Sequence, residues 1–167
     1  MTAAEIIDFL KLSPLPMEGG YFRETYRSNL NIRPGQRNSV ERSIATAIYY
    51  LLTPTSSSAF HKLKSDEIFH FYLGDSVEMI QIDPAGQLEH FYLGSDIFAA
   101  EQPQCLVSAG TWQASFLREG GSFALLGTTV SPGFDFQDFQ LGEESLLQKE
   151  FPQHSEVIKK IFSSGGI

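Results

Sequence analysis

His61 and Glu67 are the residues of this chain best suited by type and spacing to chemistry. They bound the stretch His61-Lys62-Leu63-Lys64-Ser65-Asp66-Glu67, which lies between two runs of strand-like sequence and closes at Gly74. Alternate residues of a strand share a face, so His61 faces as Leu63 does, and Glu67 as Phe69 and Phe71 do. A tight turn between the two strands would bring an imidazole and a carboxylate into one aromatic-walled interior. Burial there would move both groups from their behaviour in water and make them an acid–base pair, with His61 as general base and Glu67 orienting it. The structural alternative is a hydrogen-bonded pair that simply closes a barrel mouth. Gln113 joins the pocket by the same parity, with Ser115 on its face and Trp112 and Phe116 on the other. It is either a connector or a polar group that reads a ligand. Tyr49, on an expected core strand, is a candidate acid.

The elements that must position these groups are mostly strands. Thr2 and Glu5 form a capping-box signature ahead of Ile6, Ile7 and Leu10, which predicts a short N-terminal helix ended by Ser13-Pro14-Leu15-Pro16. From Tyr21 onward, short aromatic and β-branched segments alternate with turn residues, the texture of an all-β barrel or sandwich. The strands are expected near 21–27, 44–52, 57–63, 68–73, 77–82, 88–93, 104–107, 111–117 and 122–130. Asp83-Pro84-Ala85-Gly86 and Glu119-Gly120-Gly121 are the clearest hairpin turns, and Asn29 to Ser43 reads as a polar loop. The alternation Phe134-Asp135-Phe136-Gln137-Asp138-Phe139 predicts an edge strand. Glu143 to Gln148 and Ser155 to Phe162 have helical spacing, divided by Pro152.

The remaining candidates are weighed the same way. His70 has the opposite parity to Glu67 and is expected to point away from the pocket, while His90 and His154 sit in polar surroundings. Cys105 has no neighbouring base or helix N-terminus and reads as a structural thiol. Glu18-Gly19-Gly20 reads as a turn. Asp135, beside Pro132-Gly133, is either solvated or at the pocket rim.

Length and composition bound the answer. The 167 residues, 42% hydrophobic, suit one domain over 1–167 with a substantial core. Twelve Lys and Arg against 20 Asp and Glu give a net charge of -8, which disfavours nucleic acid as a partner. A lone cysteine and no secretion-signal layout point to the cytoplasm. No apolar run approaches the ~18 residues that cross a bilayer, so no membrane association is expected.

The spacing His61-x-Leu63-x3-Glu67-x6-Gly74 resembles the first motif of the cupin superfamily, in which two histidines and a glutamate bind a metal. Ser108-Ala109-Gly110-Thr111-Trp112-Gln113 is similar to the second. More narrowly, Glu18 to Glu24, Ile48 to Leu52, Phe60 to Glu67, Ala109 to Ala114 and Val130 to Phe136 resemble the cupin_5 family. The resemblance implies a double-stranded jelly-roll β-barrel, paired as a homodimer, with a pocket like that of sugar-nucleotide epimerases and germin-like proteins. It also implies that Arg23 and Glu24 contact a ligand at the barrel mouth. The chain departs from the cupin pattern at Leu63, which replaces the second histidine, and at Gln113, which replaces the third. Thr55 and Ser108 replace the expected glycine and proline. Two of four ligands are thus missing, so no metal and no cofactor is expected. The expectation is a small-molecule site for a polar metabolite, such as a carbohydrate or sugar-nucleotide derivative. It would serve a metal-independent epimerase or isomerase, with a non-catalytic binding or sensing module as the alternative. A dimerisation platform with a vestigial pocket, like the seed storage cupins, is a third reading.

Overall fold

A computed structural model describes residues 1–33 and 40–163. The first helix, α1 (Ala3–Leu10), begins with the expected capping box: Glu5 N–H donates to Thr2 Oγ1, and Thr2 N–H donates to the Glu5 carboxylate. It ends at Lys11, in the left-handed conformation.

The two-residue β1 (Ser13–Pro14) is followed by β2 (Tyr21–Arg27). Within the expected polar loop, β3 (Asn31–Ile32) and β4 (Arg42–Ser43) form a short ladder, while residues 34–39 lie outside the described residues. The series continues with β5 (Thr46–Leu52), β6 (Ser58–Leu63), β7 (Asp66–Gly74), β8 (Val77–Ile82) and β9 (Leu88–Leu93). It closes with β10 (Gln104–Val107), β11 (Trp112–Leu117), β12 (Ala124–Ser131) and β13 (Phe139–Leu141), before helices α2 (Glu144–Glu150) and α3 (Ser155–Ser163).

Two antiparallel sheets form the double-stranded jelly roll. One runs β1-β2-β5-β12-β7-β10, the other β13-β6-β11-β8-β9. Three apolar clusters hold it. Tyr50, Leu52, Phe69, Met79, Leu93 and Leu126 pack between the sheets. Phe60, Ile82 and Trp112, on the outside of the five-stranded sheet, pack under Leu147, Phe151, Ile158 and Ile161 of the C-terminal helical segment. Ile6 and Leu12 cover Leu51, Phe123 and Leu125 on the outside of the other sheet. Strand β6 is therefore buried on both faces and lacks the alternation of a half-solvated strand.

The structure corrects three local expectations. His61 and Glu67 are not hairpin partners: β6 pairs with β11 and β13, and β7 with β10 and β12, so the pair faces across the barrel from opposite sheets. Glu119-Gly120-Gly121 likewise joins strands of different sheets, whereas Asp83 to Gly86 does turn a hairpin, between β8 and β9. The Phe134–Phe139 alternation is not one strand. Asp135 accepts a hydrogen bond from Gln137 N–H and caps a 3-10 turn at Phe136–Asp138, leaving only Phe139 to start β13 at the sheet edge.

Candidate active site

The barrel holds a cavity of about 300 Å³ lined by residues of both sheets. His61 and Leu63 enter it from β6, Glu67 from β7, Ile48 and Tyr50 from β5, Phe22, Glu24 and Arg27 from β2, and Thr128 and Val130 from β12. Phe134, Asp135, Phe136 and Phe139 close one side, and Leu15, Pro16 and Glu18 another. The loop carrying Glu18 is stitched down by backbone: Ala59 N–H donates to Glu18 O at 2.8 Å and Leu15 N–H to Gly20 O at 3.0 Å. Gly20 has φ +71, and a Cβ there would come within 2.8 Å of the Tyr50 ring, so only glycine lets the loop lie this close.

His61 is 2% exposed, and its Nδ1 lies 2.8 Å from the Ala59 carbonyl oxygen. A carbonyl only accepts, so the neutral ring carries its proton on Nδ1 and turns the Nε2 lone pair inward. Glu18 Oε2 is 3.9 Å from that nitrogen, and Glu18 Oε1 accepts from Ser58 Oγ at 2.9 Å. Phe139 stacks on the imidazole with ring centroids 5.3 Å apart.

Glu67 is held differently. Gln113 Nε2 donates to its Oε2 at 2.7 Å, and Thr128 is a second partner. Burial pushes the Glu67 carboxyl above the ordinary carboxylate range; the His61 charge opposes that rise, and Glu18 adds to it. Ala59, rather than Glu67, therefore orients the imidazole. Tyr50 donates to Gly19 O at 3.0 Å, and burial, reinforced by the Glu18 charge, holds its phenol well above the usual value.

Among the residues expected from sequence, His61, Glu67, Glu24 and Asp135 line the cavity. Gln113 stands behind Glu67 as its donor. Tyr49 and Arg23 do not line the cavity: they occupy the outward parity of β5 and β2, where the Arg23 guanidinium lies 5.4 Å from the Tyr49 ring centre. The tyrosine facing the interior is its neighbour, Tyr50. His70 also points outward, between Thr129 and Gln104. His90 pairs with Glu78, and Cys105 is buried, its thiol pushed up to about 11 mainly by burial.

Sequence reasoning missed Glu18, Tyr50, Arg27 and Phe139. Parity alone does not separate Tyr50 from Tyr49, because Ile48 and Leu52 share one face of β5 while Ala47 and Leu51 share the other. Glu18 lies in a loop without a periodic signal, and Phe139 lies beyond a 3-10 turn that breaks the alternation expected over 134–139.

The donors do not fit a cupin metal. Leu63 presents carbon to the cavity, and Gln113 spends its amide on Glu67. Among the described residues, no three His, Cys, Asp or Glu are grouped as ligands for a metal ion.

A family model described as the cupin superfamily, Cupin_5 (DUF985), matches residues 4–142. The uncharacterised protein YML079W of Saccharomyces cerevisiae is 38% identical over a 150-residue alignment that covers 81% of this chain and 74% of that one. A hypothetical protein from Leishmania major superposes with TM-score 0.89 at 32% identity, covering 96% of this chain and 98% of its own. Protein SO0799 of Shewanella oneidensis superposes with TM-score 0.86 at 38% identity, covering 96% and 97%. With its jelly roll and this match over most of its length, the chain belongs to the cupin_5 family of the cupin superfamily.

Proposed function

We propose that this protein is a metal-independent isomerase or epimerase that moves a proton at carbon in a small, polar, carbohydrate-like metabolite. The observation that carries the reading is the imidazole of His61, whose Nδ1 is tied to the Ala59 carbonyl and whose Nε2 faces the cavity with its lone pair free to accept. That nitrogen takes a proton from a carbon next to a carbonyl. Glu67, drawn toward its protonated form by burial, donates a hydrogen bond to the carbonyl oxygen as negative charge develops there. Return of the proton from the imidazolium to the neighbouring carbon on the same face completes an isomerisation; in an epimerisation the opposite face takes its proton from solvent, and the imidazolium releases its own to solvent. Phe134 and Phe139 give the cavity an apolar flank beside the base.

The test is solvent exchange. Pooled aldoses and ketoses incubated with the protein in deuterium oxide are expected to gain deuterium next to the carbonyl, read by proton NMR. His61→Gln should slow this by at least ~100-fold while circular dichroism shows an intact fold. Exchange that survives His61→Gln would overturn the assignment. A second reading, a binding module without turnover, is favoured by Tyr50, whose hydroxyl is committed to Gly19 O and is not available as an acid. Saturable binding with no deuterium uptake by the wild type would establish it.

A further inference from the structure

The cavity's charge and hydrogen-bonding inventory narrows the ligand. Among the described residues, four carboxyl groups line it, Glu18, Glu24, Glu67 and Asp135, against one guanidinium, Arg27. Arg27 is already engaged: Nε and Nη2 donate to the two oxygens of Glu24 at 3.0 and 2.7 Å, and both terminal nitrogens donate to Phe134 O at 3.2 Å. Its charge is offset at the mouth and does not reach the floor. Deeper in, Glu18 and Glu67 flank His61, a side chain 98% withdrawn from solvent whose Nε2 lies 3.9 Å from Glu18 Oε2. A ligand atom about 2.8 Å from both would bridge that gap.

Both atoms are acceptors, so the group they want is a donor. An anion placed there would meet the Glu18 carboxylate and the His61 Nε2 lone pair in a poorly screened interior. Apart from Thr46 and Thr128, the rest of the lining is aromatic and aliphatic, suited to C–H faces.

We infer that the ligand of this site is a small polyol carrying no anionic group, which gives hydroxyl hydrogens to Glu18 while its C–H face packs on Phe139 and Phe22. A phosphorylated or nucleotide-linked sugar is rejected by the same Glu18 carboxylate. The inference rests on the preceding reading for the location of the site, but not for any reaction there. Bound in this way, a carbon bearing both O–H and C–H offers the hydroxyl to Glu18 Oε2 and the hydrogen to His61 Nε2. Glu18 is then the residue that sets specificity.

The probes are two pools at equal millimolar concentration: glucose, galactose, mannose, xylose and ribose, and the corresponding sugar phosphates. Amide chemical shifts of Ala59 to Leu63 and Thr128 report binding. The neutral pool is expected to shift them and to bind at least about 100-fold more tightly than the phosphates, as for like charges brought together out of solvent. Glu18→Gln should narrow that ratio at least tenfold, and circular dichroism checks its fold. Equal or tighter binding of the phosphates, an unchanged ratio in Glu18→Gln, or no shift with either pool overturns the inference. Deuterium exchange distinguishes this failure from that of the proposed reaction, since turnover of a phosphorylated sugar would sink the inference and leave His61 as the base.

Discussion

Glu67 is the residue whose chemistry and stability oppose each other. In the unfolded chain its carboxyl ionises near 4.5; in the fold burial raises that value, so the native state holds the proton over the interval between the two. Native stability therefore falls as pH climbs from the unfolded value through the folded one, and the loss is complete above it. Glu67→Gln keeps an acceptor for Gln113 and removes the ionisation. It is expected to unfold at higher urea than wild type near about pH 8, by on the order of 1 kcal/mol, with the gain shrinking toward about pH 4. A variant less stable than wild type at the higher pH would mean that the buried charge is better compensated than Gln113 and Thr128 allow. At this scale the sequence was legible where a strand supplied parity. It placed His61, Leu63 and Glu67 inward, but without register it could not choose between Tyr49 and Tyr50. The partner of His61 was out of reach altogether, because the acceptor is a backbone carbonyl that any residue at position 59 carries.

Among the elements, the loop before β2 is the most consequential. Gly20 meets the Tyr50 ring where a side chain would start, and its left-handed φ of +71 adds a separate cost for any L-residue. Gly20→Ala is expected to destabilise the fold by about 1–3 kcal/mol in urea unfolding and to weaken polyol binding, because Glu18 moves with the loop. Unchanged stability would show that the ring can slide aside. At the far side of the cavity, Arg42 pairs with Asp138 at 2.7 Å and ties β4 to the 3-10 turn ahead of β13. That hydrogen bond holds the Asp138 carboxyl below its ordinary value, so its contribution is present above about pH 3.8 and lost as pH falls through the lower folded value. Asp138→Asn should lower the melting temperature at neutral pH and make no difference at strongly acid pH. Most strands were readable from alternation and turn residues, and both C-terminal helices from their spacing. The Phe134–Phe139 segment was not, because Asp135 satisfies the backbone locally and outcompetes a ladder.

For the whole molecule, the helices after β13 are part of the barrel wall. Leu147 and Ile158 are 1% and 0% exposed and pack on Phe60, the residue just before His61. Leu147→Ala should cost about 2–5 kcal/mol and lower the melting temperature by roughly 5–15 °C. A drop of only a degree or two would mean that the helix docks loosely. This arrangement was only half visible in the sequence: an amphipathic tail announces that it has an apolar face, but not which sheet it covers. The two-sheet origin of the site has a mechanical corollary. His61 rides on one leaf of the sandwich and Glu67 on the other, joined by the short link through Lys64 and Ser65, so the gap that the proposed substrate would bridge is the spacing of the leaves themselves. Anything that pries the leaves apart, a bulky graft beside Leu126 for instance, would detune the proposed reaction without touching His61 or Glu67.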